Sequence, residues 1–182
     1  LHAGHSALIK AATAACREPP CKVVVSIFVN PRQFSPKEDF REYPRVLDAD
    51  LRLCEELKVD AVFYPSVEEV YPPGFAPITW PNENSNRQLF EVMCARSRPG
   101  HFEAVSAVVA RLFELVKPRL SVFGWKDAQQ FVIIRQMVAD MKLDVDLLGV
   151  ETIRDERGLA RGAGLRFQLA VVLRARNTEE DS

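Results

Sequence analysis

Residues 22–30 read KVVVSIFVN, an almost uninterrupted apolar run rich in β-branched side chains. A strand with one wet face would alternate polar and apolar residues, so this run requires a strand covered on both faces. Both faces of its sheet therefore need helices, and the rest of the chain supplies them. Residues 6–16 read as a helix stopped by Pro19-Pro20, and Leu47, Leu51, Cys54 and Leu57 share one stripe at helical spacing. Val105, Val108, Val109, Leu112, Phe113 and Val116 form a helical face ended by Pro118. Asp127 can cap a further helix carrying Phe131, Ile134, Val138 and Met141. Between these lie short strand-like runs: DAVFY at 60–64, predicted buried and closed by Pro65, LSVFG at 120–124, and residues 145–150. Residues 71–88, rich in Pro and Asn, read as loops, with 78–80 extended. Strands alternating with helices imply crossover connections. The predicted class is α/β, doubly wound, with a mostly parallel sheet whose ligands bind beyond the carboxyl ends of the strands.

Composition removes several functional classes. The chain has 182 residues, 47% of them hydrophobic, enough for one good core. Its 24 Lys and Arg nearly cancel its 25 Asp and Glu, so no broad basic surface invites nucleic acid or anionic lipid. No apolar run approaches the ~18 residues that span a bilayer. Residues 7–16 lack a following cleavage region and do not read as a signal peptide. Cys16, Cys21, Cys54 and Cys94 show no CxxC spacing. That argues against a zinc site or disulfide framework and for reduced thiols in a cytoplasmic protein.

Polar motifs sit where the strands end. His2-Ala3-Gly4-His5 opens a helix; two imidazoles can donate to phosphate oxygens, the glycine admits close approach, and the helix start favours anions. Asn30-Pro31-Arg32-Gln33-Phe34 follows the first apolar run. Taken alone it is a polar turn, yet Asn30 and Gln33 carry amides able to hold a small hydroxy acid. Arg98-Pro99-Gly100-His101-Phe102 precedes the long apolar helix. It reads either as an ordinary loop-to-helix transition or as a guanidinium placed for phosphate or carboxylate. In Phe123-Gly124-Trp125-Lys126-Asp127-Ala128-Gln129-Gln130 a strand end, a glycine, a lysine and a helix start coincide. Lys126 is either a surface lysine or a charge placed to neutralise a transferring phosphate. Trp125 reads as packing or a pocket wall.

In series these segments resemble the pantothenate synthetase family, the ATP-dependent ligases that join pantoate to β-alanine. The carrying residues are HAGH at 2–5, VVVSIFVNPRQF at 23–34, REYPRVLDADL at 41–51 and YPSVEEVYP at 64–72. SRPGHF at 97–102, FGWKDAQQ at 123–130 and VIIRQMVADMKLDVDLLGV at 132–150 continue the order. The resemblance implies a Rossmann-like nucleotidyltransferase domain over 1–159, a cytoplasmic homodimer, and ATP with Mg2+. It implies no nucleic-acid or membrane partner. By motif match, His2 and His5 face the ATP phosphates and Lys126 stabilises phosphoryl charge. Gln33 and Gln130 hold pantoate with Asn30 nearby, and Arg98 lies in the substrate cleft, aiding the amine substrate. Phe123 and Gly124 border the nucleotide, Asp127 contacts ribose or orients its loop, and Asp50 belongs to the magnesium environment. A different nucleotidyltransferase sharing HxGH, of the cytidylyltransferase kind, is disfavoured by NPRQF and SRPGHF.

The chain also departs from the family pattern. Gly158-Leu159-Ala160 is followed by Arg161-Gly162-Ala163-Gly164, where the family has two serines and an arginine that clamp the triphosphate. Neither Arg161 nor Arg166 matches that arginine. Residues 160–182 read as a divergent tail; a changed reading frame or splice junction near 160 would explain it. The strand expected before HxGH and the C-terminal domain are expected to be missing. Trp125 and Ala104 stand where the family has Glu and Gly. The expectation is a ligase with weak or absent ligation; the alternative is a catalytically impaired nucleotide- or pantoate-binding remnant.

Overall fold

The computed structural model describes residues 1–16, 21–33, 47–76 and 89–160, and the backbone of 171–175. The 78–80 segment, Arg161 and Arg166 lie outside the described residues. Helix α1 (Ala3–Ala15) leads to β1 (Val23–Ser26) and a 3-10 turn at Pro31–Gln33. Then come α2 (Leu47–Glu56), β2 (Ala61–Phe63), the short α3 (Val67–Val70) and a 3-10 segment at Met93–Ser97. Helix α4 (His101–Val116), β3 (Pro118–Gly124), a 3-10 turn at Trp125–Asp127, α5 (Ala128–Asp140), β4 (Asp146–Val150) and β5 (Val171–Ala175) complete the order.

The two-sided burial demanded by KVVVSIFVN is what the structure shows. Val23 and Val25 join Ile9, Ala12, Cys54 and Val122 on one side of the sheet. Val24 and Phe28 face a second cluster containing Val105, Val109, Leu112, Phe123, Ile134 and Met137. Helix α1 thus covers one face while α4 and α5 cover the other. Consecutive β3 residues divide in the same way, Val122 to the first cluster and Phe123 to the second. Each such buried side chain contributes roughly 1.5–3 kcal/mol relative to exposure.

The sheet corrects the expectation of a mostly parallel arrangement. Its order is β2-β1-β5-β3-β4. β1 runs parallel to β2, with Val24 opposite Ala61, and β3 parallel to β4, with Phe123 opposite Gly149. Between the two pairs lies β5, antiparallel to both neighbours, its Leu173 opposite Val24 on one side and Ser121 on the other. β1 and β3 would otherwise present unpaired N–H and C=O groups, and an antiparallel strand satisfies them fully. Part of the expected divergent tail is therefore the middle strand of the sheet.

Boundaries shift for local reasons. The apolar run contributes only four residues to β1, although the Ile27 amide still donates to Phe63 O at 2.9 Å before the chain turns at Asn30. β2 is an edge strand, with Ala61 exposed, rather than the buried strand expected. Helix α4 begins earlier than its apolar face suggests because Gly100, at φ 75°, makes a left-handed entry that a side chain would strain. Asp127 stands at the cap position of α5 but its side chain makes no capping hydrogen bond. Cys16 and Cys21 are joined as a disulfide, their Cα atoms 5.6 Å apart, which overturns the expectation of reduced thiols at these two positions. Cys16 caps the C-terminus of α1 and Cys21 lies just before β1, so the connection itself brings them within bridging range. Among the described residues no helix is long and apolar enough to cross a membrane.

Candidate active site

The first turn of α1 is organised by its own histidines. His2, in extended backbone, is the N-cap, and its Nδ1 accepts from the Gly4 amide at 3.0 Å. The His2 amide in turn donates to Nδ1 of His5 at 3.1 Å, closing a reciprocal capping box. The rings lie 3.8 Å apart between centroids. Burial lowers the pKa of both: His5 to about 3, with His2 adding to the effect, and His2 by desolvation and then by nearby Lys126. Both rings are neutral near pH 7, and because each Nδ1 accepts a hydrogen bond, each proton resides on Nε2. The helix start therefore carries two Nε2–H donors beside its own positive dipole end.

These groups open on a cleft at the carboxyl ends of β3 and β4. His2, Gly4, His5 and Leu8 line it from α1; Val122, Phe123 and Gly124 from β3; Lys126, Asp127 and Gln130 from the turn and α5. Glu151, Thr152 and Ile153, which follow β4, complete the wall. Lys126 is 28% exposed at its side chain, and its Nζ lies 3.9 Å from the Asp127 carboxylate. The placement obeys the strand-end rule for open α/β sheets.

A second cluster forms beyond β1. Asn30 is 1% exposed and held on both sides: its Oδ1 accepts from the Tyr71 hydroxyl and the Arg32 amide, both at 3.1 Å, and its Nδ2 donates to Ala104 O at 3.3 Å. These bonds make Asn30 a shaper of the turn. That turn presents Gln33, which is buried with its Oε1 lacking any hydrogen-bond partner. An orphaned acceptor at a strand end is what a ligand hydroxyl would satisfy. The Arg32 guanidinium lies 4.0 Å from the Tyr71 ring centre, and burial pushes the Tyr71 hydroxyl up to about 12. His101 faces the Gln33 carbonyl at 3.4 Å through Nδ1. Burial lowers its pKa, and nearby Arg98 acts in the same direction.

The structure thus brings His2, His5, Phe123, Gly124, Lys126, Asp127 and Gln130 into one cleft. Arg98 is exposed and not part of that lining. Asp50 is buried on α2, where its carboxylate meets the Leu1 amino group, and it does not line the cleft. Sequence reasoning missed His101, Tyr71 and the 151–153 segment; the strand-end rule applied to β4 would have found the last. Trp125 does not line the cleft. It packs edge-on against Phe131 at 4.6 Å and lies over Gly149 of β4, where a side-chain carbon would come within 2.6 Å of Nε1. Ala104, the other departure from the family pattern, contributes its carbonyl to Asn30.

What fold and cleft define is an α/β domain in which a helix start, two imidazoles and a lysine converge where parallel strands end. The chain belongs to the pantoate–β-alanine ligase family, whose profile matches residues 1–164. It is 49% identical over 160 residues to the pantothenate synthetase of Fervidobacterium nodosum, covering 88% of this chain and 54% of that protein. It is 51% identical over 160 residues to a bifunctional pantoate ligase/cytidylate kinase of Thermosynechococcus vestitus, of which it covers 30%. Among solved structures, pantothenate synthetase from Thermus thermophilus superposes with a TM-score of 0.77 at 46% identity, over 88% of this chain and 55% of that one. The Francisella tularensis ligase, complexed with beta-gamma ATP and beta-alanine, gives 0.76 at 34% identity, over 88% of this chain and 59% of its own. The chain thus spans about half the length of most of the relatives it matches.

Proposed function

We propose that this chain forms the ATP- and pantoate-binding half of a pantoate–β-alanine ligase. The carrying observation is the pair of neutral imidazoles, fixed as Nε2–H donors at the start of α1, sharing a cleft with Lys126. The proposed reaction has two steps. A pantoate carboxylate oxygen attacks the α-phosphorus of ATP, and the bond to the β-phosphate oxygen breaks, releasing pyrophosphate. The β-alanine amine then attacks the acyl carbon, loses a proton, and AMP departs. His2, His5 and the α1 amides hold phosphate oxygens, and Lys126 offsets charge that grows as pyrophosphate leaves. Gln130 and the unpartnered Gln33 Oε1 receive pantoate. Phe123, Gly124 and Asp127 border the nucleoside, and Arg98 serves the amine substrate.

The family reading also brings Mg2+, a homodimer and the cytoplasm. Asp50 does not line the cleft proposed for the nucleotide, and we assign it no metal-holding role. Among the described residues no cluster of three His, Cys, Asp or Glu side chains stands ready to hold a metal. A magnesium ion would enter on the nucleotide phosphates with its waters.

The 161–164 sequence RGAG lacks the two hydroxyls of the family's Ser-Ser-Arg segment and has no arginine at the matching position, which favours a binding-competent but catalytically impaired protein as the second reading. Titration with the ATP analogue AMP-CPP and pantoate, together with pantoate-dependent pyrophosphate release, tests both. Binding with release well below ~1 per second is expected. Failure to bind AMP-CPP overturns the assignment.

A further inference from the structure

Gln129 and Gln130 are neighbours at the start of α5, yet only Gln130 lines the cleft. The Gln129 side chain turns toward the 89–98 segment. Its Oε1 accepts from the Cys94 amide at 3.0 Å, and its Nε2 donates to Leu89 O at 3.1 Å and Val92 O at 2.9 Å. One amide thereby satisfies three backbone groups that no sheet or long helix satisfies. One turn further along α5, Ile133 is fully buried against Ala95 and Phe102, with Leu89 and Phe90 packed alongside. The two contacts lie on one face of the helix and grip the same segment, one by hydrogen bonds and one by apolar packing.

The segment then passes that constraint along its own backbone. Arg96 Nε donates to Glu91 O at 3.0 Å, the Ser97 hydroxyl to Cys94 O at 3.0 Å, and the Arg98 amide to Ala95 O at 3.1 Å. The His101 amide donates to Arg98 O at 3.2 Å, where α4 begins. We propose that Gln129 is a positioning residue that holds the 89–98 segment, and with it Arg98, in register with the helix start carrying Lys126 and Gln130. The role of Arg98 rests on the function proposed above; the clamp itself rests on the three hydrogen bonds. An error of about 1 Å between two substrate-holding groups costs up to ~100-fold, which is ample reason for such a clamp.

The test compares the parent chain with Gln129→Ala by amide hydrogen exchange and by NMR titration of β-alanine in the presence of AMP-CPP. Exchange at Cys94 should quicken at least about tenfold. β-Alanine affinity should fall about tenfold, while AMP-CPP affinity stays within about twofold. If Gln129→Ala does not fold, Gln129→Glu carries the test. It keeps the acceptor for Cys94 but sets a carboxylate oxygen against the Leu89 and Val92 carbonyls, and exchange is then read at Arg98. Unchanged exchange overturns the clamp. Faster exchange with unchanged β-alanine affinity overturns the positioning role. A parent chain that binds neither ligand counts against the ligase reading, and the exchange data still decide the clamp.

Discussion

The amide of His2 donates to Nδ1 of His5 while Nδ1 of His2 accepts from Gly4, so two ring nitrogens that define a helix start also fix which nitrogen of each ring carries the proton. Capping and ligand chemistry are thereby joined in one structural element. The two roles can be separated by substitution. His5→Asn keeps a short side-chain acceptor near the His2 amide and removes the distal N–H. Thermal stability should change by no more than about 1 kcal/mol, the scale of a cap interaction, while AMP-CPP affinity should fall about tenfold. Calorimetric titration beside a melting curve distinguishes these effects; equal affinity would remove His5 from the phosphate site.

The same histidines predict acid lability. Burial holds His5 at about 3 against an ordinary 6.5, and it lowers His2 and His101 as well. The unfolded chain therefore binds more protons than the folded one as pH falls below about 6.5. The stability gained from neutral imidazoles is complete above that pH and lost progressively toward about 3. Urea midpoints at pH 7.5 and 5 should differ in the parent and differ less in His5→Asn. Parallel pH profiles for the two proteins would show that His5 titrates normally.

Lys126 lies on the cleft wall rather than in the core, so its removal should spare the fold. Lys126→Ala is expected to lower pantoate-dependent pyrophosphate release by about 100-fold or more, the scale of losing one transition-state charge. Its unfolding midpoint should move little, because the ion pair given up among the described residues is a partly exposed contact to Asp127. The comparison needs single-turnover pyrophosphate release and a denaturation curve for each protein. Equal release rates would eliminate the charge-stabilising role.

Trp125 and Gly149 should behave as a coupled pair. A Cβ at position 149 would stand 2.6 Å from the indole Nε1, so Gly149→Ala forces the ring away from β4. Trp125 is 41% exposed and can swing outward, which limits the expected loss to about 1–3 kcal/mol and should red-shift its fluorescence. Adding Trp125→Leu should recover most of the loss, a non-additivity that a double-mutant cycle on unfolding free energies measures directly. Additive effects would mean that the two residues do not share the strain.

The helices were readable because their apolar periodicity records burial directly. Val105, Val109 and Leu112 lie on the buried side of α4 as their spacing requires, and Phe131 and Ile134 do the same on α5. Much of the cleft lining was readable too, because Lys126 and Gln130 follow the end of β3, where parallel strands bind ligands, and His2 opens a helix. Asn30 shows the limit of that reading. Its residue type suited a ligand-binding amide, but its bonds to Tyr71 and Ala104, both distant in the chain, and to Arg32, which tie it into the turn, could not be read from the sequence.

The sequence by itself determined that the first strand is buried on both faces, that helices must cover it, and that the polar motifs cluster where strands end. Those properties follow from local patterning, which depends only on neighbouring residues. Tertiary structure alone decided that β5 enters the middle of the sheet antiparallel to β1 and β3, since β-branched patterning is the same for either strand direction. It alone decided that Gln129 bonds to the 89–98 segment while Gln130 lines the cleft. Each of these is a contact between groups whose meeting depends on the path of the whole chain, and no local pattern encodes that path.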